Sequence, residues 1–168
     1  MQSAFLEFSA SKLIHNATRI KTCLGKLTPE QIWRRGSENE NAAGNLVLHL
    51  CGNIRQWIGH GAGGKEDTRT REAEFAARGD YSAEALIRVL DEAVAEQAVV
   101  LRSLPEGDLM TIVDVQNRKG ITKLEAIYQS VTHFNEHTGQ IVLLTKLFTG
   151  EDLAFFNRLQ PATSTGTR

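Results

Sequence analysis

Residues 122–148, TKLEAIYQSVTHFNEHTGQIVLLTKLF, read as one long helix around which the rest of the chain is organised. Ile127, Phe134, Ile141 and Phe148 recur on one apolar stripe, and Gly150 stands where the helix should stop. His133 and His137 lie at the edge of that stripe, in a row with Ser130, Gln140 and Leu144. Residues four apart sit one turn apart on nearly the same face of a helix, so two imidazoles so placed can close on a single metal ion. A third ligand must come from another element, and His49, inside NLVLHLCGNIRQWI (45–58), is the expected donor.

Three further helices are predicted outward from this one. Leu6, Ala10, Leu13, Ala17, Ile20, Leu24 and Leu27 form the seam of a first helix over about 4–27. Thr28-Pro29-Glu30-Gln31 then has the form of a cap with proline in the first turn. The second helix spans 45–60, with an apolar arc through Leu46, Leu50, Ile54 and Trp57, and Gly59, Gly61, Gly63 and Gly64 are expected to end it. His49 borders that arc, and Asn53, Gln56 and His60 continue its row, as a lined pocket or a solvated flank would require. A third helix follows Asp80–Glu84 through Leu86, Leu90, Ala93, Gln97, Val100 and Leu104.

The stretch 61–81 is too long for a plain loop in a compact domain and suits a crossover that runs the length of a bundle, with a short helix within RTREAEFAAR (69–78). A hairpin or lid is expected between 108 and 123, with its turn at Lys119-Gly120. The prediction is therefore an all-α four-helix bundle in one domain over 1–160, with a long crossover between its second and third helices. Residues 161–168, PATSTGTR, are expected to be a frayed tail.

Composition excludes several function classes. Lys plus Arg number 19 against 20 for Asp plus Glu, so no basic surface is expected for nucleic acid or an anionic membrane. No apolar run is long enough to span a bilayer, and the N-terminus lacks the basic-then-apolar pattern of a signal peptide, which favours a cytoplasmic protein. Cys23 and Cys51 have no zinc-finger spacing and read as small core residues. Three imidazoles would leave an ion with an open position, the arrangement of a catalytic site. His133-Phe134-Asn135-Glu136-His137 also satisfies H-x-x-E-H, the protease motif in which Glu136 would be the base. Those proteases need an acidic ligand well downstream, and only Glu151 and Asp152 follow His137.

The segments NLVLHLCGNIRQWI (45–58), TRTREAEF (68–75) and THFNEHTGQIVLLTKLFTGEDLAFF (132–156) together resemble the DinB-like superfamily, over nearly the whole chain. That resemblance implies a bundle of up-down-down-up topology, a metal triad at His49, His133 and His137, zinc or nickel as the ion, and a homodimer. Characterised members of the superfamily include low-molecular-weight thiol transferases, so a thiol and an electrophile are the implied substrates. Asn53, Gln56 and Gln140 are then candidates for hydrogen bonds to ligands or substrate. Arg69 and Arg71 are candidates for the carboxylates of a small thiol. A hydrolase with Glu136 as base, and a non-catalytic dimeric bundle, remain the competing readings.

Overall fold

The predicted seam Leu6, Ala10, Leu13, Ala17, Ile20 and Leu24 is buried along one face of α1 (Gln2–Leu24) in a computed structural model that describes residues 2–105 and 107–155. The tail expected at 161–168 lies outside the described residues. Thr28 caps α2 (Pro29–Ile32) through a reciprocal box with Gln31. The helix carrying His49, α3 (Ala43–Ile54), continues without a break as a π-helix over Arg55–Ala62. After the short α4 (Arg71–Ala76), α5 (Ala83–Ser103) starts at the Ser82 cap. A single 3₁₀ turn, Asp108–Met110, leads into the antiparallel pair β1 (Ile112–Val115) and β2 (Arg118–Thr122). The last helix, α6 (Lys123–Thr149), opens on a Thr122/Glu125 capping box and closes on Gly150 at φ 69°. The expected bundle is present, and a small hairpin is added to it.

Side-chain pairs give the direction of each long helix. Lys21 meets Asp91 and Glu7 meets Arg102, so α1 and α5 are antiparallel. Asn16 meets Asn135 and Lys26 meets Glu151, so α6 runs with α1. His49 meets His133 and Asn53 meets Ser130, so α3 runs against α6. Arg55 meets Glu96 and Gly63 lies against Val100, so α3 and its π-helical extension run with α5. The order is up, down, down, up. One buried cluster, from Leu13 and Ile20 through Leu50 and Leu90 to Phe134 and Ile141, is shared by all four.

Because α3 and α5 run the same way, the chain must return along α3 before α5 can begin. It does so in register: Lys65 lies by His60, Asp67 by Gln56, Glu74 by His49, Ala77 by Asn45 and Tyr81 by Trp33. The carbonyls of Glu74 and Ala77 accept from the buried Asn45 amide at 2.9 and 3.1 Å, and that of Phe75 accepts from Arg35 at 2.8 Å. Side chains thereby satisfy backbone groups that no regular element could pair.

Two local expectations are corrected. The second helix was expected to end by His60 at a run of glycines, but it continues to Ala62. Gly59 and Gly61 let neighbours approach: a Cβ on Gly59 would meet Gln97, and one on Gly61 would overlap the Val115 side chain. The wider π turn also turns Trp57 out of the Leu46, Leu50 and Ile54 seam, and it packs in a second small core with Val115 and Ala126. The hairpin turn lies at Gln116-Asn117, with Gln116 at φ 57°, and not at Lys119-Gly120. Gly120, at φ 67°, lies inside β2 where the register shifts opposite Asp114, whose carboxylate accepts from Gly120 N at 2.9 Å.

Gly61→Ala should destabilise the protein by about 1–3 kcal/mol through the clash with Val115. Urea unfolding should show a much smaller cost of Gly61→Ala in a Val115→Ala background than in the parent, because the second change removes the obstructing methyls.

Candidate metal centre

Antiparallel packing of α3 on α6 sets His49 opposite the turn that carries His133 and His137. One ring nitrogen of each lies within 4.8 Å of the other two. The Nε2 atoms of His49 and His133 are 2.9 Å apart. The three rings stand nearly perpendicular to one another, at 81°, 88° and 82°. An ion bonded to imidazoles at about 2.0–2.1 Å holds neighbouring nitrogens roughly 3.3 Å apart in a tetrahedral set. The His49–His133 pair needs to open by only a few tenths of an ångström to meet that spacing.

The Nδ1 atoms face outward, each toward a side-chain oxygen. His137 Nδ1 lies 2.6 Å from Gln140 Oε1, and His133 Nδ1 lies 3.9 Å from Glu136 Oε2. His49 Nδ1 lies 2.9 Å from Glu74 Oε2. A proton on Nδ1 donated to Glu74 by His49 and to Gln140 by His137 leaves the Nε2 of each free to bind an ion, while the 3.9 Å approach of His133 to Glu136 is too long for a hydrogen bond.

Glu74 is itself held by Arg69, whose Nε donates to Oε1 at 2.7 Å and Nη2 to Oε2 at 2.8 Å. Arg69 Nη1 donates to Gln56 Oε1 at 2.8 Å, and the Gln56 amide donates to Asp67 at 2.8 Å. The Arg69 and Glu74 side chains are 4% and 9% exposed, so this pair is desolvated and held in one geometry. Gly52 makes room for it, since a Cβ there would collide with Glu74 Oε1.

The surroundings set the protonation states. Burial drives the His133 imidazole down to about 4, helped by the charges of His137, His49, Arg69 and Arg71. Burial likewise lowers His137, against the opposing pull of Gln140 and Glu136. Both rings are therefore unprotonated at neutral pH and available as ligands. Burial pushes the Glu74 carboxyl up, but hydrogen bonds from Arg69 and His49 outweigh it and hold it below its usual value. Cys51 is no rival ligand: burial pushes its thiol to about 12.

The other sequence candidates divide by position. Asn53 accepts from Ser130 at 2.9 Å and borders a polar cleft of about 160 Å³ beside His49 and His133. Arg69 and Arg71 also border this cleft. Gln56 faces the crossover instead, where it joins Asp67 to Arg69. Gln140 reaches the triad through His137. Glu136 stands just outside it with its carboxylate 70% exposed. His60 bonds the Lys65 carbonyl, away from the triad.

Sequence reasoning missed Glu74, Gly52, Asn45 and the cleft residues Gln116 and Gln129. Glu72 and Glu74 are alike in sequence, and only the path of the crossover selects one. A glycine inside an apolar helix was the available signal for Gly52.

The family described as Protein of unknown function (DUF1572) matches residues 1–158. In structure the chain is similar to a DinB-like protein from Bacillus subtilis, with a TM-score of 0.66 at 15% identity, covering 88% of this chain and 96% of that one. It is also similar to a mycothiol-dependent maleylpyruvate isomerase, with a TM-score of 0.63 at 14% identity, covering 81% of this chain and 60% of that one. A histidine-to-alanine mutant of that isomerase matches equally well. No protein of curated function matches the chain in sequence. The DinB-like fold expected from the sequence is thus present.

Glu74→Ala should weaken zinc binding by about 10–100-fold in a chelator competition while the helical circular dichroism stays unchanged. Glu74→Gln, which keeps an oxygen for His49 Nδ1, should lose less.

Metal-free protein should also lose stability as the pH falls. Below the ordinary histidine value of 6.5 the unfolded chain takes up a proton that folded His133 refuses until about 4. Across that window the loss is about 3 kcal/mol. Urea titrations should show a shallower pH slope for His133→Ala than for the parent.

Proposed function

We propose that this chain, which belongs to the DUF1572 family of proteins of unknown function, is a metal-dependent enzyme that joins a low-molecular-weight thiol to an electrophile. The observation that carries this reading is the convergence of three imidazole nitrogens from α3 and α6, with no carboxylate or thiol in the set. Zinc or nickel is the proposed ion, since imidazole suits both. A divalent ion held there supplies Lewis-acid activation, which favours the ionised form of a thiol at neutral pH. The mycothiol dependence of the similar isomerase supports a thiol as one substrate.

The chain's own residues supply the order around that chemistry. Glu74 and Gln140 fix the rings of His49 and His137, and Arg69 and Gln56 hold Glu74 in place. Arg69 therefore acts behind the ligands, while Asn53 and Arg71 border the space where substrate would lie. Glu136, beside His133 and open to solvent, favours one second reading, a hydrolase in which it serves as general base.

A homodimer is part of the proposal. Its natural surface is the apolar groove between α1 and α6, lined by Phe5, Phe8, Tyr128 and Val131, in which Phe8 and Tyr128 are 69% and 62% exposed. A non-catalytic dimeric bundle would present the same surface. A cytoplasmic location is also proposed, because Cys23 and Cys51 are both buried and unpaired. Among the described residues no helix is long and apolar enough to cross a membrane.

Zinc- and nickel-loaded protein assayed with a panel of cellular thiols against an activated aryl halide tests the reading. Turnover should require both metal and thiol, and His137→Ala should reduce it to the solution rate. Glu136→Gln should keep most of a transferase rate but cost a hydrolase on the order of 10²–10⁴-fold. Absence of thiol-dependent turnover in loaded protein would remove the transferase, and sedimentation of the same sample reports the dimer.

A further inference from the structure

We propose that the cleft beside the histidine triad is a carboxylate-binding subsite, with Arg71 as its charged partner and the Trp57 indole N–H among its donors. The inference rests on the thiol-transfer reading above and names the chemistry of the substrate: one of the two reactants is an acid.

The lining of the cleft is one-sided. Beside His49 and His133 it presents the guanidinium groups of Arg69 and Arg71 and the amides of Asn53, Gln116 and Gln129, and no carboxylate. Arg69 is committed to Glu74 and Gln56. Arg71 has no carboxylate partner among the described residues. It is held at the site by stacking, 4.9 Å over the Phe75 ring, which in turn lies 4.8 Å from the His49 ring. A charge so placed, at the mouth of a cleft and without a counter-ion, suits an incoming anion.

A second observation points the same way. Trp57 also lines the cleft and is 6% exposed, yet its indole N–H is buried with no acceptor. Trp33, in contrast, donates to the Tyr81 carbonyl at 3.0 Å. A buried donor without a partner is costly, and this one belongs to a residue that forms part of the cleft wall. Gln116, turned into the left-handed region at the hairpin tip, adds an amide from the opposite wall.

The size limits the ligand. About 160 Å³ takes a carboxylate and the carbon that bears it, not a whole drug-sized molecule. The remainder of the substrate must extend outward, with its reacting end at the triad.

The test reads the indole N–H of Trp57 by nitrogen-edited NMR, assigned by its loss in Trp57→Phe, during titration of zinc-loaded protein with propionate. The Trp57 signal should move with saturation while the Trp33 signal stays, and Arg71→Gln should weaken the affinity by at least 10-fold. No shift, or a shift that Arg71→Gln leaves unaltered, overturns the subsite.

Mercaptoacetate and 2-mercaptoethanol, alike in size and differing in the carboxylate, then locate the acid. Tighter binding of mercaptoacetate by 10-fold or more, abolished in Arg71→Gln, places it on the thiol. Propionate and 2-mercaptoethanol binding together without competition places it on the electrophile. Mercaptoacetate that binds no more tightly than propionate, with no binding of 2-mercaptoethanol, would defeat the transferase and leave the subsite standing.

Discussion

The parallel packing of α3 and α5 is the constraint from which the rest of the structure follows. Two neighbours running the same way cannot be joined by a tight turn, so the chain is forced back along the full length of α3. That return brings a carboxylate to the outer nitrogen of His49. The connection is long for a topological reason, and the length is used to build the layer behind His49. Asn45, one turn before His49, pins the returning backbone at Glu74 and Ala77, so the carboxylate is delivered by two hydrogen bonds from one buried side-chain amide.

The electrostatics around the triad leave its imidazoles unprotonated and able to hold a cation. Burial and neighbouring positive charge keep His133 unprotonated well below neutrality. Glu74, the one acid buried against the triad among the described residues, is matched to Arg69 by two short hydrogen bonds. Removing either partner would strand a charge away from water, which is far more costly than losing a surface ion pair. The exposed Glu136 differs in this respect: it is near His133 but free to move.

The far end of α3 shows how small residues shape the wall of the cleft. Gly59 and Gly61 let α5 and the hairpin press against the π-helical turn. The extra residue in that turn takes Trp57 out of the bundle seam and places it under β1, where it forms part of the cleft. The bulge at Gly120 and the left-handed Gln116 bring the hairpin tip to the same cleft. Three departures from regular structure therefore meet at one place, which is where local rules are expected to yield to function.

The sequence by itself determined the four helices, their buried seams and the capping boxes at Thr28 and Thr122. These depend on residue spacing and on side chains reaching backbone groups three positions away. It also determined that His133 and His137 share a helix face, because that follows from 3.6 residues per turn. The sequence also pointed to His49 as the third histidine, and with a family resemblance added the direction of the helices was legible as well. Tertiary structure alone decided that Glu74 and not Glu72 meets His49, that Arg69 is spent on Glu74 while Arg71 is left at the cleft, and that Gly61 admits Val115 instead of ending a helix. Each of these depends on which residue of one segment lies beside which residue of another. That register is set by the packing of whole helices and by no pattern within either segment.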